Sequence, residues 1–120
     1  MKVIIIKPDI DIGDIDKERD SARKKFILKE FGEDASITTY KAAEYQHPET
    51  FMFTSVLNDV SVADCVYFAY GEEVDCSAIS IKFTSIILNI CRYTSKDHYV
   101  EYYRHGKLIA HARKYCVLGD

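Results

Sequence analysis

A chain of 120 residues, 48% hydrophobic with nine Tyr and six Phe, carries material for one filled core and is no disordered tail. Sixteen basic against nineteen acidic side chains leave a net charge of -3, which excludes a broad electrostatic footprint for nucleic acid or an acidic membrane. The apolar run after Met1-Lys2 is too short for a signal sequence or a membrane span, so the cytoplasm is the expected compartment.

"KVIIIKP" is a continuous apolar run closed by Pro8, the pattern of a strand covered on both faces. The loop "DIDIGDID" follows, with Asp9, Asp11, Asp14 and Asp16 around Gly13. Its glycine is out of register for a calcium loop, so no metal is expected there. From Asp16 to Phe31 the period becomes helical: Ala22, Phe26, Ile27 and Phe31 share a stripe. Asp14 or Asp16 would cap the start and Gly32 would end it. Lys7 and Arg19, near that helix start, are candidates to meet a phosphate.

"ASITTY", residues 35–40, reads as the second strand. Pro48 suits the first turn of a helix whose apolar face is Met52, Phe53, Val56, Leu57 and Val60. "DCVYFAY", residues 64–70, is the third strand. The β-α-β-α-β order predicts parallel pairing.

Asp75 would cap a helix over 76–88, and Ile79, Phe83, Ile86, Ile87 and Ile90 fall at helical spacing, with Asn89 as its terminus. In the tail, residues 98–104 read as a strand. Beyond His105-Gly106 a hairpin and a helical stripe through Leu108, Ile109, Ala112 and Cys116 both fit. His98, His105 and His111 lie among Tyr99, Tyr102, Tyr103, Arg104 and Arg113, a mixture that can stack on bases, form one wet face of a hairpin, or pair with a second copy. Cys65, Cys76, Cys91 and Cys116 form no CxxC pair, so reduced, mostly buried thiols are expected, with no metal and no cofactor.

"IIIKP" and "MFTSVLNDVSVADCVYFAYG", in this order, resemble the nucleoside 2-deoxyribosyltransferase-like superfamily, which includes small phage and bacterial proteins. The likeness covers residues 2–91, with 92–120 as an extension of the same single domain. It implies an α/β fold: a mostly parallel, four- or five-stranded sheet with flanking helices, flavodoxin- or Rossmann-like, ending in a hairpin or a strand and helix. It also implies a nucleoside or nucleotide pocket between Pro8 and Gly71, and cleavage or transfer of an N-glycosidic bond by a carboxylate.

On that likeness Asp59 takes the helix aspartate position, Ala63-Asp64 opens the third strand and Gly71 closes it. The departures are specific. The family's first-strand tyrosine falls on Ile4 or Ile5, its glycine on Lys7, and its catalytic glutamate on Ser80 or Ile81. An acid would have to come from the loop, from Glu72, Glu73 or Asp75.

The expected catalytic set is therefore Asp59, Asp64 and Glu72. Pro8, Asp9, Gly71, Glu73, Asp75 and Ser77 are the expected ligand contacts, at the carboxyl edge of the sheet. Equally plain alternatives stand beside it: Asp59 as a solvated helix-end residue, Asp64 as a strand-start residue, and the loop as a solvated acidic turn. As a whole the chain reads as an enzyme, a nucleotide-binding pseudoenzyme, or an interaction module using its Tyr-rich tail on a protein partner or a second copy.

Overall fold

A computed structural model describes residues 1–9, 13–43, 45–70, 74–83, 90–94, 99–104 and 107–113; at 15, 16 and 30, and from 90 onward, the description is of backbone. In chain order the elements are β1 (Lys2–Pro8), α1 (Asp14–Phe31), β2 (Ser36–Ala42), α2 (Pro48–Ser55), α3 (Leu57–Ser61), β3 (Cys65–Phe68), α4 (Cys76–Lys82), β4 (Ile90–Thr94), β5 (Tyr99–Arg104) and β6 (Lys107–Arg113).

The apolar run of β1 is buried from Val3 to Lys7 because the strand is covered on both faces. Alternation splits its side chains between two cores. Val3 and Ile5 pack with Phe26 and Ile27 of α1 and with Cys65 and Tyr67 of β3. Ile4 and Ile6 pack on the opposite face with Met52, Val60, Phe68 and Ile79, so α2, α3 and α4 cover that side. The chain is thus an α/β domain with helices on both faces of its parallel strands.

One sheet runs β2-β1-β3-β4-β5-β6. Pairing is parallel for β1–β2, β1–β3 and β3–β4, and antiparallel for β4–β5 and β5–β6. Among the described residues the sheet has six strands, where four or five were expected. The one the sequence hides is β4: Ile90 continues the apolar spacing of the preceding segment, yet it opens a strand paired with Val66. "ICRYT" is β-branched and aromatic, and pairing with β3 prevails over the helical spacing.

The tail resolves as the hairpin, with Arg104 opposite Lys107, and not as a terminal helix over 107–113. Tyr-rich β5 lies between β4 and β6, so both its backbone edges are used within the chain. Among the described strands, β2 and β6 are the outermost.

Local signals explain the helix ends. Helix α1 begins at Asp14, earlier than Asp16, and its cap is neither aspartate: Gly13 takes φ 71, a left-handed value open to glycine. Gly32, at φ 106, ends it and returns its N–H to Leu28. Pro48 opens α2 as expected, and the ring of His47 accepts from the Glu49 N–H. Asp75 caps α4, accepting from the Ala78 N–H at 3.0 Å. The single helix expected across residues 48–60 breaks at Val56, whose φ of -131° leaves the helical region. Burial at Met52, Val56 and Val60 keeps one stripe on the core through that break, while Phe53 turns outward. No helix among the described residues is long and apolar enough to cross a membrane.

Candidate functional site

The structure sends the residues expected to form one site to three places. Pro8 and Asp9 end β1, where the Asp9 N–H donates to the Ala42 carbonyl at 2.7 Å. Asp75 and Ser77, at the start of α4, follow the carboxyl end of β3, and the Asp75 carboxylate serves as a cap. Gly71, Glu72 and Glu73, which would join these groups, lie outside the described residues.

Asp64 is at the opposite edge. It precedes β3, its carboxylate accepts from the Lys2 N–H at 2.7 Å, and its own N–H donates to the Lys2 carbonyl at 2.8 Å. Lys2 and Pro8 are the two ends of β1, so Asp64 stands roughly 20 Å from the carboxyl edge at ~3.3 Å per residue. There it ties the start of β3 to β1.

Asp59 occupies the third place, on the face carrying α2 and α3. It is the third residue of α3 and its Oδ2 accepts a hydrogen bond from the Tyr40 hydroxyl. Tyr40 is in β2, opposite Ile6, and its ring packs on the core of that face. The Tyr40 hydroxyl is held above its ordinary range, first because it donates to Asp59, then through burial and the carboxylate's negative charge.

Beside Asp59 the break at Val56 opens a polar cleft of about 300 Å³, lined by Thr54, Ser55, Val56, Leu57, Asn58 and Asp59. Beside Val56 and Leu57, its lining residues carry two hydroxyls, an amide and a carboxylate, the donors and acceptors that suit a polyhydroxylated group.

Lys7 is 3% exposed, and its ammonium lies 3.1 Å from both oxygens of Asp20 on α1. Arg23, also buried, shares the same carboxylate at 2.8 Å. Arg19 precedes Asp20 on α1; its Nε is buried and has no hydrogen-bond partner among the described residues.

The positions where the family glutamate would fall offer no acid. Ser80 is 3% exposed and donates to the Ser77 carbonyl of its own helix, and Ile81 is 61% exposed. Cys65 and Cys76 are buried, as expected. No group of three metal-binding side chains occurs among the described residues. His98 and His105 lie outside the described residues, while His111 is placed on β6 by its backbone, opposite Glu101.

Two parts of this arrangement are absent from the sequence reading: Tyr40 as the partner of Asp59, and the outward turn of Phe53. Tyr40 carries a faint signal, being the large aromatic at the end of an otherwise small, β-branched strand. The chain matches no family model, and no curated protein or solved structure matches it.

Proposed function

We propose that this protein binds a nucleoside or nucleotide without cleaving it, and that the polar cleft beside Asp59 takes the sugar. The observation that carries this proposal is the Tyr40–Asp59 hydrogen bond at the rim of that cleft. The phenol fixes one carboxylate oxygen, and Asp59 lines the cleft together with Thr54, Ser55 and Asn58. A fixed carboxylate is the group that accepts from ribose hydroxyls in dinucleotide-binding sheets.

Two further features support it. The strand order β2-β1-β3-β4 agrees with a flavodoxin-like doubly wound sheet, and we take the chain as a divergent relative of the deoxyribosyltransferase-like group. In that group a first-strand tyrosine assists a carboxylate; here Tyr40 of the second strand would do so. The lack of an acid at Ser80 and Ile81 argues for binding over N-glycosidic cleavage, because a hydroxyl bonded to its own helix is no nucleophile.

Calorimetric titration with adenosine, cytidine, guanosine, uridine and their 5'-phosphates tests the proposal. Binding by wild type and its loss, by at least about tenfold, in Asp59→Asn is expected. Unchanged affinity in that variant would refute it.

A second reading, a protein-interaction module, draws on β6. That strand is outermost and pairs only with β5 among the described residues, which leaves a backbone edge for an added strand. Concentration-independent sedimentation as a monomer, with no strand-forming peptide bound, would count against it.

A further inference from the structure

A second cleft, of about 360 Å³, lies on the same face between α2 and α4, lined by Glu49, Thr50, Phe53, Lys82 and Phe83. Its volume is within the range of small-molecule sites, about 300–1,000 Å³. It shares no lining residue with the Asp59 cleft.

Two walls are aromatic. The rings of Phe53 and Phe83 have centroids 6.3 Å apart and planes tilted by 48°. Phe83 is anchored in the core at 5% exposure, whereas Phe53 is 57% exposed. A core-anchored ring therefore sits against a second, largely exposed ring.

The polar groups are equally particular. Lys82 Nζ is 2.5 Å from Glu49 Oε1 and 5.9 Å from the centroid of Phe83. A carboxylate only accepts hydrogen bonds and an ammonium only donates them. Side by side next to an aromatic face, they complement a flat ring whose edge carries an N–H donor beside a nitrogen acceptor. Adenine has that edge: an exocyclic amine next to a ring nitrogen. Stacking on an aromatic side chain holds such a base, and the paired polar groups select its edge. Lys82 is largely exposed while the Glu49 side chain is 24% exposed, so the ammonium can swing aside and leave the carboxylate to a ligand.

We infer that the cleft between α2 and α4 is a binding site for a planar amino-substituted heterocycle of the adenine type. The ring stacks on Phe53, Glu49 accepts from the exocyclic amine, and Lys82 donates to the neighbouring ring nitrogen. This site does not depend on the Asp59 proposal.

NMR-monitored titration of the full chain with free adenine and with unsubstituted purine tests it. Adenine is expected to bind at least about fivefold more tightly than purine, since a site built for an amine penalises its absence. Phe53→Ala should weaken adenine by about tenfold, and its thermal melt should stay near wild type because the ring is exposed. Glu49→Gln should erase most of the preference for adenine over purine. Asp59→Asn should leave adenine affinity unchanged. No binding of adenine, equal binding of adenine and purine, or an unaffected Phe53→Ala variant would each overturn the inference. Nucleosides that bind through Asp59 while free adenine does not would overturn this inference alone; adenine binding with no nucleoside dependence on Asp59 would overturn the other alone.

Discussion

The ammonium of Lys7 stands 3.1 Å from both carboxylate oxygens of Asp20, at the end of β1 and beneath α1. A lysine there fills space on the α1 face of the sheet's carboxyl edge and closes it with an ion pair that Arg23 shares.

Removing the shared carboxylate should therefore cost stability. Asp20→Ala leaves two buried cations without it, and a destabilisation of about 2 kcal/mol is expected, below the full buried-pair cost because Asp20 is partly exposed. Lys7→Met keeps the volume and removes the charge, so it should be milder, about 1 kcal/mol or less. Urea unfolding of both variants checks the order. A larger loss in Lys7→Met would show that the ion group is not what holds α1 to β1.

Tyr40 makes stability depend on alkaline pH. Its folded-state pKa is raised, chiefly by the hydrogen bond to Asp59. Above the unfolded value of about 10 the unfolded chain releases this proton while the folded chain retains it, so the unfolded state binds fewer protons and stability falls with rising pH. The contribution is complete below about pH 10 and is lost as pH climbs through the folded value. Melting of wild type and Tyr40→Phe from pH 8 to 11 should show a gap that narrows above pH 10. A constant gap would mean that Tyr40 and Asp59 do not share a proton donor and acceptor in solution.

The two aspartates can be separated functionally. Asp64→Ala loses the bond to the Lys2 N–H and should destabilise the fold by about 1 kcal/mol without weakening a ligand held at Asp59. Asp59→Asn should do the reverse. Ligand affinity that falls in Asp64→Ala would put both residues in one site.

Restoring a glutamate should fail in a position-dependent way. Ser80 is buried, so Ser80→Glu places a charge in the core and should cost about 3 kcal/mol or more. Ile81 is exposed, and Ile81→Glu should change stability by about 0.5 kcal/mol at most. Neither variant should release base from a nucleoside. Release by either would mean that the cleft was one carboxylate short of an enzyme.

The first three strands, α1 and the start of α2 were legible because their signals are local. A continuous apolar run needs cover on two faces, Pro48 and Asp75 fix helix starts, and Gly32 ends α1 at a left-handed φ. Strand β4 was not legible, because Ile90 fits helical spacing and only pairing with Val66 decides against it. The site was less legible still. Asp59 and Asp64 are five residues apart in sequence, yet one faces Tyr40 and the other caps the start of β3 at the sheet's amino edge. No local pattern carries the partner of either: Tyr40 and Lys2 reach them from other strands. Lys7 illustrates the same limit, since its burial depends on Asp20 one helix away.

The most direct measurement follows melting temperature and free-base release together, for wild type and Asp59→Asn, across the panel of nucleosides and 5'-nucleotides. A ligand at ~100 times its Kd should stabilise the fold by about 2.7 kcal/mol. The expected result is a rise in melting temperature for wild type, none for Asp59→Asn, and no base released by either. Base release by wild type would contradict binding without cleavage, and a shift that survives in Asp59→Asn, or no shift for any member of the panel, would contradict the Asp59 cleft as the sugar site.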